Sequence, residues 1–337
     1  MEQILLISIF VSFILTAIFL PRWIRKCREV GLLWEDMNKV GKPKNVAASG
    51  GVVVVLSFII GVLVYIGLNT FVLGYSNGIT KMIFAILCTI AILAIVGLAD
   101  DLLGWHHGGL SIRFRMFLVL MASIPLVVIN LGTRVIQLPF IGFVNLGLLY
   151  PLVIIPIGIL GATTTYNFLA GFNGLEAGQG MIILSFMSII CYIIGIEWLA
   201  VMGLTMVAAL VVFYLYNRVP ARVFPGDSLT YAVGALIAIM AIIGNFEQVA
   251  VIMFTPFIIE TFLKLRGGLK KQSFAIPMKD GNLKLPYKKI YSLTHFSVFI
   301  LRKLNKKATE ENVVRLIISF QILVCLIAFA VFKYRIT

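Results

Sequence analysis

The chain has 337 residues, 61% of them hydrophobic and only 12% charged, with 28 Lys and Arg against 14 Asp and Glu. Its mean hydropathy of +1.04 lies far from that of soluble domains, in which about a quarter of residues are charged. A soluble fold is therefore excluded. No nucleic-acid partner is expected either, because the basic residues cling to membrane edges and no nucleic-acid motif accompanies them.

Apolar runs of about 18 to 20 residues recur along the chain, each long enough to cross a bilayer. Taken in order they cover roughly 4–20, 48–68, 79–98, 114–131, 147–165, 180–196, 198–216, 228–245, 247–264 and 313–332. They predict an all-α polytopic membrane protein of about ten transmembrane helices, a single integral-membrane domain over 1–337. The first run reads as a span and not a cleaved signal: MEQILLISIF lacks a basic start, and PRWIRK follows where a small-residue cleavage site would stand. Only 21–47 and the basic loop 265–312 are long and polar. The cysteines at 27, 88, 191 and 325 show no metal-type spacing and read as small apolar packing residues.

Ten spans put alternate loops on one side. Loops 21–47, 99–113, 166–179, 217–227 and 265–312, with their span junctions, carry 24 of the 28 Lys and Arg. Positive-inside bias places these loops in the cytoplasm and both termini outside. The basic face suits anionic lipid headgroups, and equally an anionic cytosolic substrate.

Four of the acidic residues sit where a span meets that face: Asp100, Asp101, Glu176 and Asp227. Carboxylates at membrane edges are costly unless paired, hydrated or bound to a cation. Asp100 and Asp101 are expected to end the apolar helix IAILAIVGLADD, where acid opposes the helix dipole. Asp227 follows a tight turn in PARVFPGDS and would otherwise serve, with Ser228, as a helix cap. The strip NFLAGFNGLEAGQG, Asn167 to Gly180, is polar and glycine-rich between two apolar runs. Its asparagines suit either interhelical hydrogen bonds or a ligand cradle. His106 and His107 are adjacent, point to different sides of a helix, and make a poor metal pair.

Asp and Asn oxygens suit Mg²⁺ better than zinc. A few such ligands amid Arg and Lys form a site for a diphosphate. No Walker loop is present, and Gly104 stands where a DDxxD motif needs its third aspartate, so neither an NTPase nor a prenyl synthase fits. The residues favour Mg²⁺-dependent transfer between a soluble diphosphate and a lipid phosphate.

The blocks GLADDLLG, NFLAGFNGLEAGQG, PARVFPGDS and IPMKDGNLKLPY, with EENVVRLIISFQIL in the last span, carry a resemblance over nearly the whole chain. The chain resembles the polyprenyl-phosphate sugar-1-phosphate transferases, and within them the eukaryotic-type dolichyl-phosphate N-acetylglucosamine-phosphotransferases and their archaeal relatives. The resemblance implies that a sugar-1-phosphate, GlcNAc-1-phosphate above all, passes from a UDP-sugar to a polyprenyl or dolichyl phosphate with release of UMP. That is the first step of lipid-linked glycan assembly for N-glycosylation. It implies that Asn167 and Asp227 hold Mg²⁺ (Mn²⁺ being the alternative) and that Asn173 reads uracil. Phe224 would stack near the nucleotide, with Gly174, Glu176, Arg222 and Gln272 also on the substrate. Asp100 and Asp101 match the essential acidic pair, for which positioning and charge management are expected rather than an obligatory base.

Three departures stand out. Arg113 and Arg115 replace a lysine after the DD block, Ala47 stands where relatives have a glutamate, and SFAIP replaces RHRIP at 273–277. The last puts the sugar's identity in question, with Arg266, Lys270, Lys271 and Gln272 as candidates to fill in. The active site is expected to face the cytoplasm, in the plasma membrane of an archaeon or the endoplasmic reticulum of a eukaryote, and a homodimer is allowed. The competing class is a lipid-linked carrier flippase, which would spread polar residues through the midplane and not gather them at one face.

Overall fold

A computed structural model describes residues 2–74, 78–138 and 142–336. Thirteen α-helices dominate the described residues, with three two-stranded antiparallel ribbons. Eight helices are long and apolar enough to cross a membrane, and a ninth span results if one bent pair is counted as one. The protein is an integral membrane protein.

The long helices are α1 (Glu2–Val30), α2 (Gly51–Phe71), α3 (Ile79–His107), α6 (Ile155–Phe168), α7 (Leu175–Ile193), α8 (Glu197–Asn217), α9 (Gly226–Gly244) and α13 (Glu310–Ile336). One π-turn, Tyr150–Ile154, leads into α6. Helix α9 is the most enclosed, 78% of its apolar window being buried, and packs against α3, α6 and α2.

Two expected spans are broken, both at proline. Run 114–131 folds as α4 (Ile112–Ala122) and the short α5 (Ile124–Val128). Pro125 has no N–H to continue the ladder and disfavours helical geometry at the residue before it. Run 247–264 folds as α10 (Glu247–Met253) and α11 (Thr255–Arg266), bent by 62° before Pro256. Carbonyls freed by such a break must find donors inside a bilayer. Thr255 Oγ1 donates to Ile252 O at 2.6 Å, and Gln321 Nε2, from α13, donates to Met253 O at 2.9 Å.

Helix α3 does not end at the aspartate pair. It runs on to His107, so Asp100 and Asp101 lie about two turns inside it and the expected clash with the C-terminal dipole does not arise. Likewise α7 starts at Leu175, so half of the glycine-rich strip is helical.

The segment between α1 and α2 folds back on the helix ends as β1 (Leu33–Glu35) and β2 (Lys44–Ala47). Ala47 then forms a parallel bridge with Val223, donating to Arg222 O at 3.1 Å and accepting from Phe224 N at 2.8 Å. The ribbon β3 (Val135–Leu138) and β4 (Gly142–Asn145) follows α5. In the last basic loop lie β5 (Ile276–Pro277), β6 (Leu283–Lys284) and the amphipathic helix α12 (Leu293–Lys303). Buried Glu260 of α11 ties this loop down. It accepts from Leu293 N at 2.6 Å, from Ser292 Oγ at 3.1 Å and from Ser273 Oγ at 3.4 Å.

Candidate active site

A cavity of about 570 Å³ opens where α3, α6, α7 and α9 end beneath the β1–β2 ribbon, and Phe274 and Gln272 reach it from the last loop. The close crossing of α3 and α9 brings the carboxylates together. A Cβ on Gly97 would sit on Ser228 N and 2.5 Å from Asp227 C, so only glycine permits this approach. One turn on, Asp101 Oδ1 accepts from the backbone N–H of Asp227 at 2.9 Å. A carboxylate is thus set against the positive end of α9, a favourable place for it. Gly226 has φ +69° and no room for a Cβ beside Asp101 Oδ2. That second oxygen is buried and makes no hydrogen bond of good geometry among the described residues, although the Ser49 hydroxyl and the Ser228 N–H approach the same carboxylate.

Asp227 itself lines the cavity. Its Oδ1 accepts from Asn167 Nδ2 at 3.1 Å, and its Oδ2 lies 3.3 Å from Arg115 Nη1. The same Arg115 nitrogen is 3.1 Å from Asp100 Oδ2, while Asp100 Oδ1 accepts from Leu110 N at 2.6 Å. One guanidinium nitrogen therefore bridges two carboxylates with its two N–H groups, while Nη2 donates to Leu110 O at 3.3 Å. Asp100 thereby fixes the start of α4 and holds Arg115 in place.

The glycine-rich strip Asn167 to Gly180 forms one wall. Asn167 ends α6, and Asn173 and Glu176 bracket the start of α7. Glu176 Oε1 accepts from Gly171 N at 2.8 Å, closing the turn from within, and Phe274 packs over Gly171. Gly174 N donates to Asn217 Oδ1 at 3.0 Å, and Asn217 Nδ2 to Val223 O at 2.8 Å, which couples this wall to the turn carrying Phe224.

Of the residues singled out in the sequence, Asp101, Asn167, Asn173, Glu176, Phe224, Asp227 and Gln272 line the cavity, and Asp100 and Arg115 back it. Gly174 supports the wall from behind. Arg113 and Arg222 are not brought to it: both side chains are exposed, Arg113 lying two residues from Arg115 and so on another side of α4. Nor do Arg266 and Lys271 fill the SFAIP gap. They lie over the rings of Tyr291 and Tyr287, at 5.9 and 4.8 Å.

Sequence reasoning missed Asp36, Asn38, Lys39, Lys44 and Glu310. Glu310 begins α13 and is buried; it pairs with Lys39 and accepts from Asn173 N at 3.0 Å. Asn38 Nδ2 donates to Gly171 O at 2.9 Å, and Asn38 Oδ1 accepts from Ala275 N at 3.2 Å, stapling the strip to the SFAIP stretch. A signal existed in the polar run EDMNK and in an acid at the mouth of the last span.

The family profile described as glycosyl transferase family 4 matches residues 83–245. A Saccharolobus solfataricus protein, provisionally named a UDP-N-acetylglucosamine–dolichyl-phosphate N-acetylglucosaminephosphotransferase, is 32% identical over 86% of this chain and 85% of its own length. The chain belongs to glycosyl transferase family 4. A Sulfolobus acidocaldarius protein with the same provisional name is 30% identical over 96% of this chain and 95% of its own. The phospho-N-acetylmuramoyl-pentapeptide-transferase of Shouchella clausii is 30% identical over 77% and 79%. The segment matched by the family profile contains Asp100, Asp101, Arg115, Asn167, Asn173 and Asp227. Asp36, Asn38, Gln272 and Glu310 lie outside it, in the parts of the chain that close the cavity over.

The lining charges are lopsided. Glu35, Asp36, Asp101, Glu176 and Asp227 face the cavity against Lys44. Among the described residues no three His, Cys, Asp or Glu side chains gather as a ready-made metal cage. Mg²⁺ does not ask for one: it takes one or two carboxylates, keeps waters, and completes its shell with substrate phosphates. Asp227, Asn167 and the buried Asp101 Oδ2 are an oxygen-only set of that kind, and each carboxylate oxygen has lone pairs beyond its present bonds. The residues fit Mg²⁺.

Proposed function

We propose that this protein transfers GlcNAc-1-phosphate from UDP-GlcNAc to a polyprenyl or dolichyl phosphate, releasing UMP, at a site facing the cytoplasm. The observation that carries the reading is the acidic cavity with a buried aspartate oxygen that makes no hydrogen bond of good geometry among the described residues. A diphosphate would be repelled from it unless a divalent cation entered too. Further support comes from the activity for which the archaeal relatives are named.

Mg²⁺, with Mn²⁺ as the alternative, would be held by Asp227 and Asn167 beside Asp101, and would neutralise charge on the diphosphate. The chain's own residues do the rest. Asn173 and Phe224 hold the uridine, and Lys44 adds positive charge at the cavity wall. Arg115 keeps Asp100 and Asp227 from repelling one another. An oxygen of the lipid phosphate bonds to the sugar-proximal phosphorus as the bond from that phosphorus to the UMP oxygen breaks. A lipid phosphate is already mostly ionised near neutral pH, so no protein base is needed to create the nucleophile.

Purified protein given UDP-GlcNAc, Mg²⁺ and dolichyl phosphate tests this. UMP formed only when the lipid is present is the expected result; UMP formed equally without lipid sinks the assignment.

A further inference from the structure

Asn173 sits in the cavity wall with carboxylates on its amide nitrogen. Its Nδ2 donates to Asp36 Oδ2 at 3.0 Å and reaches Glu310 Oε2 at 3.5 Å. Asp36 and Glu310 are both buried, at 5% and 4% exposure, and come from the loop after β1 and the first turn of α13. Glu310 is ringed by donors: Asn173 N at 3.0 Å, Asn38 Nδ2 at 3.3 Å and the Lys39 ammonium. It therefore acts as an acceptor. An amide oxygen cannot face two accepting carboxylates, so the –NH₂ must, and among the described residues Oδ1 of Asn173, which lines the cavity, has no protein partner. The neighbouring carboxylates thus decide the direction of the amide.

We propose that Asp36 and Glu310 are positioning residues that fix the Asn173 amide with its oxygen toward the base, so that the cavity selects a base offering a ring N–H over one offering a ring acceptor. Uracil N3–H is such a donor; cytosine N3 is an acceptor and would meet Asn173 Oδ1 lone pair to lone pair. Selectivity between the pyrimidines then comes from two side chains acting through Asn173, in parts of the chain 274 residues apart. A base left facing the wrong group is rejected strongly, because a buried polar atom goes unpaired. The inference rests on the uridine-nucleotide reading above.

The test is equilibrium binding of UMP and CMP to purified full-length protein and to Glu310→Gln and Asp36→Asn. Both replacements keep shape but supply an amide that can donate or accept, so Asn173 is free to turn. Wild type is expected to prefer UMP by about 10² or more. In each variant that ratio should fall at least tenfold, largely through tighter CMP binding. Lys39→Gln, which removes the ion pair and leaves both acceptors in place, should keep the wild-type ratio. Should one of the two amide variants fail to fold, the other still reads the ratio. Variants that lose UMP affinity with the ratio intact would show a merely structural role and overturn the proposal, as would a ratio that falls equally in Lys39→Gln. Absence of any preference in wild type would instead overturn the uridine reading itself.

Discussion

Gly97→Ala perturbs the site without touching any group that faces the cavity. The added methyl would lie 2.5 Å from Asp227 C, where ordinary contact begins at 3.4 Å. The atoms in its way are backbone, so no rotamer change relieves it, and α9 must move from α3 by roughly 1 Å. A displacement of that size at a reacting centre costs on the order of 10² in rate, and overpacking a helix crossing costs about 1–3 kcal/mol of stability. Asp101 would lose its bond to Asp227 N, and Arg115 could no longer span Asp100 and Asp227. UMP release should therefore show kcat down by about 10², with a smaller change in KM for UDP-GlcNAc, because the base would be held by Asn173 and Phe224, which lie outside the α3–α9 crossing. Melting should confirm that the variant remains folded at assay temperature. A folded Gly97→Ala protein with wild-type kcat would refute the claim that this crossing sets the carboxylates.

Asp227→Asn should lower turnover about 10² or more and raise the Mg²⁺ concentration needed for half-maximal rate, read from a metal titration. Arg115→Lys keeps the charge but loses the Nη2 bond to Leu110 O, and should retain more activity than Arg115→Met in the same assay. Gln321→Leu leaves Met253 O without its donor at the helix break and should cost about 1–3 kcal/mol, seen as a lower melting temperature in detergent. His295 is buried against Phe274 O, and burial lowers its pKa below the ordinary 6.5. Its neutral form is favoured on folding, so stability is fully present above that value and falls as pH drops below it; melting from pH 7.5 to 5.5 should decline less steeply in His295→Gln. For orientation, impermeant thiol labelling from outside should reach Gly195→Cys and miss Lys279→Cys in sealed vesicles.

Much of this was legible in the sequence, because bilayer spans and one-sided basic loops are composition signals. Three of the motif blocks named the cavity wall, and Asp100, Asp101, Asn167 and Asp227 came together there. Helix ends were less legible. Apolarity stops near Leu98, but the backbone ladder of α3 continues beyond the aspartates because three of their four oxygens are held by groups outside α3. The breaks at Pro125 and Pro256 were readable from proline alone, yet a sliding count of apolar residues passes over them. Least legible were Asp36 and Glu310. Each looks like a solvated loop acid or a helix start, and what distinguishes them is contact with Asn173 across 137 residues on either side.

The central claim is that phosphorus, and not the sugar alone, moves to the lipid. UDP-GlcNAc labelled with ³²P at the sugar-proximal phosphate, incubated with the purified protein, Mg²⁺ and dolichyl phosphate, separates the two outcomes. The account predicts label in the lipid product in step with unlabelled UMP. Label retained in soluble UDP while GlcNAc reaches the lipid would contradict it.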